Sequence, residues 1–403
     1  MTGSHIAVFE IPATGHINPA LGLCAELVKR GHRVTFPTGD EYEARVRKTG
    51  ATPILIRSVK ASDTLGLTGI FDRMQIDDPN WWPACASVLY PWFMLSAAAT
   101  VVQLRNVYDQ DPPDLILYDR LAFAGRIIGR RLNVPLIQIY PHFAYYQRSL
   151  FREKGVSENP EPMLALAKLL DTFLSAYGIH EEGSLWHTEA RNIYFIPREF
   201  QFSSEWFDER SRFVGACLNR PFELAWNAAR PGAPIVLISD MVGAGTGFFD
   251  VFVDALRTLN VRVILSIGQD ADAGSLQDLP SNFEINRDAS HLEILPHAAL
   301  SICQGGMGTT LEALYHGVPV IALPLTRFHE EVTYRTVELG LGYSLPRLRA
   351  TSKMIRECVQ LALTDAAMVR RVKNMQRVFG ASNGAKLAGD CVEEILASRR
   401  GRS

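Results

Sequence analysis

Residues 5–36 read HIAVFEIPATGHINPALGLCAELVKRGHRVTF, and their periodicity decides the fold. His5–Ile11 is a short apolar run rich in strand formers, the pattern of a strand buried on both faces of a parallel sheet. Pro12–Asn18 then reads as a loop, in which Asn18 can cap a helix and Pro19 suits its first turn. Apolar Leu21, Cys24, Leu27 and Val28 come next at helical spacing, and Gly31 ends the helix. Arg33–Phe36 reads as a second strand. Strand, helix and strand in this order predict a βαβ unit and a parallel, doubly wound sheet.

The rhythm continues outward from this block. Asp114–Tyr118 and Pro135–Tyr140 read as later strands, with a helix carrying Arg126, Arg130 and Arg131 between them. Residues 63–108 are less regular and aromatic, and 160–178 look helical. Residues 219–234 hold Arg220-Pro221 and Arg230-Pro231-Gly232-Ala233-Pro234, a composition typical of linkers. After them the alternation restarts. Strands are expected at Ile235–Ser239, Val261–Ile267, Phe283–Asn286, Leu300–Gln304 and Val318–Leu323. Helices are expected over Phe248–Leu259, Thr309–His316 and Glu330–Leu339, with a helical end over 352–398. The expected architecture is therefore α/β, with Rossmann-like doubly wound domains at 1–218 and 235–380 facing a central cleft. A C-terminal helix and tail over 381–403 is free to cross back to the first domain. Ligands of such sheets bind beyond the carboxyl ends of the strands.

The chain has 403 residues, more than the ~250–300 at which one core stops growing, which agrees with two domains. Acidic and basic residues nearly balance, at a net charge of −2, and are spread along the length. That excludes the concentrated basic face that a nucleic-acid partner requires. The six cysteines form no CxxC pair and no zinc-like cluster, and read as buried thiols of a reducing compartment. No basic-then-apolar leader and no membrane-spanning run is present, so the expectation is a cytoplasmic protein, monomeric or homodimeric.

The first βα loop lacks G-x-G-x-x-G, which argues against a nicotinamide cofactor. It offers Gly15-His16-Ile17-Asn18-Pro19 instead. A histidine at this edge can act as a base at neutral pH when a carboxylate holds its other nitrogen. Asp119, which ends the segment DLILYD, lies at the same edge and is the candidate partner. On spacing alone, His16 can equally bond loop backbone and Asp119 can cap a helix.

Four segments carry a family resemblance. They are the N-terminal block, DLILYD, FVGA at 213–216, and GGMGTTLEALYHGVPVIALP at 305–324. Together they resemble bacterial natural-product glycosyltransferases of the macrolide-glycosylating type, over nearly the whole chain. The resemblance implies the GT-B fold, with an N-terminal acceptor domain and a C-terminal donor domain. It implies that His16 deprotonates the acceptor hydroxyl, that Asp119 holds His16, and that displacement at the anomeric carbon inverts configuration. It implies a TDP- or UDP-sugar co-substrate, no tightly bound cofactor and no metal. Ser239, Gln304, Gly305, Gly306, Thr309 and Glu312 fall at the donor site.

The donor half departs from the family pattern. A serine–glycine turn is replaced by Ser239-Asp240-Met241-Val242, and the base-stacking tryptophan segment by Asp288-Ala289-Ser290-His291. Gln304 stands for a diphosphate-binding histidine, and Phe328-His329 for the acid–glutamine pair that grips the sugar. His291 and His329 are candidates to compensate. On the acceptor side, Trp81, Trp82, Trp92, Phe93, His142, Phe143 and Tyr146 can line a pocket for a hydrophobic small molecule, or form ordinary core. Three readings stand. The first is an inverting glycosyltransferase with an altered donor site. The second is an acid–base enzyme on the same fold that no longer uses a sugar nucleotide. The third is a non-catalytic auxiliary protein.

Overall fold

The computed structural model describes residues 3–57, 81–144, 161–218, 232–239, 248–266, 279–287, 291–381 and 383–400. The chain forms two compact units, one of Met1–Pro221 with Ser382–Ser403, the other of Phe222–Ala381.

In the first unit, seven described strands form one sheet. They are β1 (His5–Phe9), β2 (Arg33–Thr38), β3 (Thr52–Leu55), β4 (Leu115–Asp119), β5 (Leu136–Tyr140), β6 (Asn192–Tyr194) and β7 (Ser211–Phe213). Their order is β3-β2-β1-β4-β5-β6-β7, and every pair is parallel. The order reverses between β1 and β4, the switch point at which open parallel sheets bind ligands. Alternate residues of these strands supply two cores. Ala7, Phe9, Ile116 and Tyr118 pack with residues of the helices Trp81–Gln110 and Phe123–Leu132. Ile6, Val8, Leu115 and Leu117 pack with residues of the helices Thr14–Lys29 and Gly384–Arg400.

In the second unit, six described strands keep the same plan: β8 (Ile235–Ser239), β9 (Arg262–Ser266), β10 (Phe283–Asn286), β11 (Ala298–Cys303), β12 (Val320–Ala322) and β13 (Gly342–Ser344). Their order is β10-β9-β8-β11-β12-β13, again parallel throughout, with the switch between β8 and β11. No helix among the described residues is long and apolar enough to cross a membrane.

Two expectations change. The helix expected after Asn18 begins at Thr14, so His16 lies in its first turn and not in a loop. The Ala13 carbonyl accepts from both His16 N and Ile17 N, which closes the turn before the Asn-Pro pair is reached. Pro19 is then interior, where its ring forgoes one helical hydrogen bond. The described part of the irregular aromatic stretch is a single helix, Trp81–Gln110. Its buried Ala97, Val101, Leu104 and Tyr108 keep helical spacing, which Pro91 and the aromatic run obscure. The expected linker lies outside the described residues up to 231.

Gly125 sets the distance between a helix and the switch point. A Cβ there would meet Cβ of Tyr118 at 2.5 Å and Cβ of Phe9 at 3.0 Å, one on each switch-point strand. Gly125→Val is expected to cost about 1–3 kcal/mol. Urea unfolding would show a lower midpoint at unchanged slope. Wild-type stability would mean that this contact does not set the spacing.

Candidate functional site

Phe9 is paired with Tyr118, so the next residues, Glu10 and Asp119, leave β1 and β4 side by side at the carboxyl edge. Asp119 is completely buried. One of its carboxyl oxygens, Oδ1, accepts from the backbone N–H of Leu121 at 2.7 Å. The other, Oδ2, lies 2.7 Å from Nδ1 of His16. The early start of the helix brings His16 to this edge. A carboxylate can only accept, so Nδ1 carries the proton and Nε2 carries the lone pair. The His16 side chain keeps 22% of its exposure and Asp119 none, so a proton enters the pair through the histidine.

Glu10 is a third member that the spacing of the sequence does not single out. Ligand atoms of Glu10, His16 and Asp119 all lie within 4.8 Å of one another. Glu10 is partly buried, and both its carboxyl oxygens are shielded from water. Burial, then the charge of Asp119 and a hydrogen bond with it, push the Glu10 carboxyl well above the usual range. A signal is present in HIAVFEIP: an acid directly succeeds a buried strand at the carboxyl edge of the sheet.

Trp92 and Phe93 line a cavity of about 60 Å³, together with Glu10, Ile17, Ser96 and Phe123. His142 and Phe143 are placed elsewhere. Phe143 is fully buried, stacked on Phe200 and packed on Phe202, and so serves as core. His142 meets the Phe143 ring edge-on and lies 6.2 Å from Tyr140, whose own ring is 6.0 Å from that of His16. Tyr146 and the side chains of Trp81 and Trp82 lie outside the described residues.

In the second unit, Ile238 pairs with Ile302, so Ser239 ends β8 beside Cys303, the end of β11, and Gln304 is the first residue beyond β11 at the switch point. Ser239 and Gln304 are both buried. Gly305 comes next with φ of +76°, and a Cβ there would collide with Oγ1 of Thr333. Gly306 caps the helix Met307–Tyr315, whose first turns bury Thr309 and Glu312. His329 starts the next helix, where its backbone N–H bonds the Thr326 hydroxyl. Its Nε2 comes within 4.0 Å of where a Gly306 Cβ would be. Nε2 of His291 lies 3.7 Å from Oε2 of Glu312. Glycine amides, a helix N-terminus and an imidazole thus gather as an anion-binding turn would require. Asp240, Met241, Val242 and residues 288–290 lie outside the described residues.

Residues 250–392 match the family model described as the C-terminal domain of erythromycin biosynthesis protein CIII-like proteins. The chain is 34% identical to the NDP-glycosyltransferase YjiC of Bacillus licheniformis, over 98% of this chain and 99% of the relative. It belongs to the bacterial natural-product glycosyltransferase family. It is also 28% identical to the demethyllactenocin mycarosyltransferase of Streptomyces fradiae, over 98% of this chain and 87% of that one. The crystal structure of CalG4, the calicheamicin glycosyltransferase, superposes with a TM-score of 0.84 at 30% identity, covering 98% and 99% of the two chains. The fold is GT-B and the activity is glycosyl transfer. Of the three readings, this membership supports the glycosyl transfer contained in the first.

Gly305 is the sharpest constraint on the donor-side turn, because its backbone is left-handed and its surroundings are full. Gly305→Ala is expected to cost about 1–3 kcal/mol. Calorimetric unfolding of the full chain would show the loss, and an unchanged transition would mean that the turn relaxes without cost.

Proposed function

We propose that this glycosyltransferase moves a hexosyl or deoxyhexosyl group from a UDP- or TDP-sugar to a hydroxyl of a hydrophobic natural product, with inversion. The observation that carries the reading is the 2.7 Å contact between Nδ1 of His16 and buried Asp119, which leaves Nε2 as the basic nitrogen. In the proposed step Nε2 takes the acceptor O–H proton as the oxygen attacks the anomeric carbon. The bond from that carbon to the diphosphate oxygen breaks, and its electron pair leaves with the nucleoside diphosphate. One displacement inverts the anomeric centre. Asp119 stabilises the imidazolium that forms. The acceptor's apolar part is assigned to the cavity beside Trp92 and Phe93.

On the donor side, backbone amides of Gly305 and Gly306, with Thr309, are assigned to the diphosphate, and Glu312 to the ribose hydroxyls. Ser239, Gln304 and His291 border the same sheet edge. His329 is assigned the imidazole contact that the family places at position 304. Its place beside Gly306 supports this. No metal is needed, because helix N-terminus and imidazole meet the developing charge.

The two halves give opposite expectations. His16→Ala, and likewise Asp119→Asn, is expected to lower kcat by ~10²–10⁴-fold, with UDP or TDP binding by calorimetry unchanged. His329→Ala is expected to weaken nucleoside diphosphate binding by roughly 10- to 100-fold, the worth of a hydrogen bond to a charged group. Release of nucleoside diphosphate across UDP- and TDP-sugars is the assay. A protein that releases none and binds neither overturns the reading.

A further inference from the structure

The proposed mechanism leaves the Glu10 carboxyl without a task. The sheet forces it against Asp119, because Phe9 and Tyr118 are register partners and the next side chains point to one face. Asp119 receives an N–H at each oxygen, from Leu121 and from His16, and such bonds favour the charged form of a carboxylate. Glu10 receives none: no N–H or O–H of a described residue reaches either of its oxygens. Two carboxyl groups this close, shielded from water, share a proton, and here the proton belongs on the one without donors. The other groups facing Glu10 do not change this. Among the described residues they are His16 and Cys24 on the helix Thr14–Lys29, where the buried Cys24 thiol is pushed up by burial and by Glu10, and uncharged Thr38, Ser96 and Thr100, which line the same cavity as Glu10.

We propose that Glu10 is a positioning residue: as a neutral acid it donates a hydrogen bond to Asp119 and keeps that carboxylate turned toward Nδ1 of His16. The proposal rests on the reading of His16 as base, but half of its test does not. With Glu10 neutral, one negative charge backs the histidine, and the apolar cavity beside it receives an acceptor without meeting an anion. The raised position of the Glu10 carboxyl reflects this setting, with burial contributing first and Asp119 next.

The shared proton also fixes how stability varies with pH. Glu10 binds its proton more tightly folded than unfolded, so the folded state loses stability as pH rises from the ordinary value of 4.5 toward the raised one. Glu10→Gln removes this loss. Its thermal unfolding midpoint should exceed that of the wild type by a margin that widens over that range. Infrared difference spectra at neutral pH should show a protonated-carboxyl carbonyl band in the wild type that Glu10→Gln lacks. Both readouts are independent of turnover, and hence of whether His16 is the base. In turnover, Glu10→Ala should lose roughly 10- to 100-fold in kcat at unchanged KM, and Glu10→Gln, whose amide still donates, should recover most of it. Absence of the infrared band, or a margin that narrows as pH rises, overturns the proposal. So does a Glu10→Gln enzyme as slow as Glu10→Ala, because the carboxylate itself would then be required.

Discussion

Phe9 lies opposite Tyr118 where β1 pairs with β4, and the next residues, Glu10 just past β1 and Asp119 at the end of β4, lie at the carboxyl edge of the sheet. Most of what the first unit does chemically depends on that register. A slip of one residue would turn Asp119 to the other face, among the aromatic side chains of the helix Trp81–Gln110. In the observed register it faces the helix Thr14–Lys29 and meets His16. A buried carboxylate without partners costs several kcal/mol, so the Leu121 N–H and the His16 ring are structural necessities whatever chemistry the edge performs. The pair is rigid for the same reason that it is useful. A second carboxylate within 4.8 Å raises the stakes, since two like charges at that distance repel by about 3 kcal/mol at an effective dielectric of ~20. That exceeds the ~1 kcal/mol of an ordinary hydrogen bond, so the arrangement is tolerated only with a proton between the two acids.

The second unit repeats the geometry with different chemistry. Ser239 and Cys303 end β8 and β11 as Phe9 and Asp119 end β1 and β4 at the first switch point. Beyond Gln304 the chain supplies a glycine with positive φ and then a helix N-terminus, in place of the histidine–aspartate pair. In the proposed reading the same fold element yields a proton-handling edge in one unit and an anion-binding edge in the other. The difference lies in the three or four residues after the strand.

The sequence was most legible where the fold is most repetitive. β1, β4 and β8 are mostly apolar runs bounded by polar or turn residues, and they read as strands at once. β3, β6, β7 and β13 span only three or four residues each and carry too little periodicity to announce themselves. The start of the first long helix was misplaced because Asn18-Pro19 has the chemistry of a cap, while the actual cap, Ala13, has none. Phe143 shows the limit of composition: aromatic rings beside a strand end look alike in sequence whether they line a cavity or, as here, pack against Phe200. Glu10 was legible in principle, yet its importance rests on the register of β1 against β4, which pairwise spacing along the chain cannot supply.

The departures that the resemblance implies for the donor site fall in the second unit, whereas His16 and Asp119 of the first are in hydrogen-bond contact. In the proposed reading this asymmetry has a quantitative consequence. Loss of a base-stacking ring removes ~1–3 kcal/mol, and loss of a phosphate contact ~1.5–3 more, together enough to forfeit several orders of magnitude in donor affinity. An imidazole at His329, beside the glycine turn, can restore the second contribution but not the first. Donor recognition then shifts from the base, which a stacking ring would hold, toward the diphosphate at the glycine turn and the ribose hydroxyls assigned to Glu312.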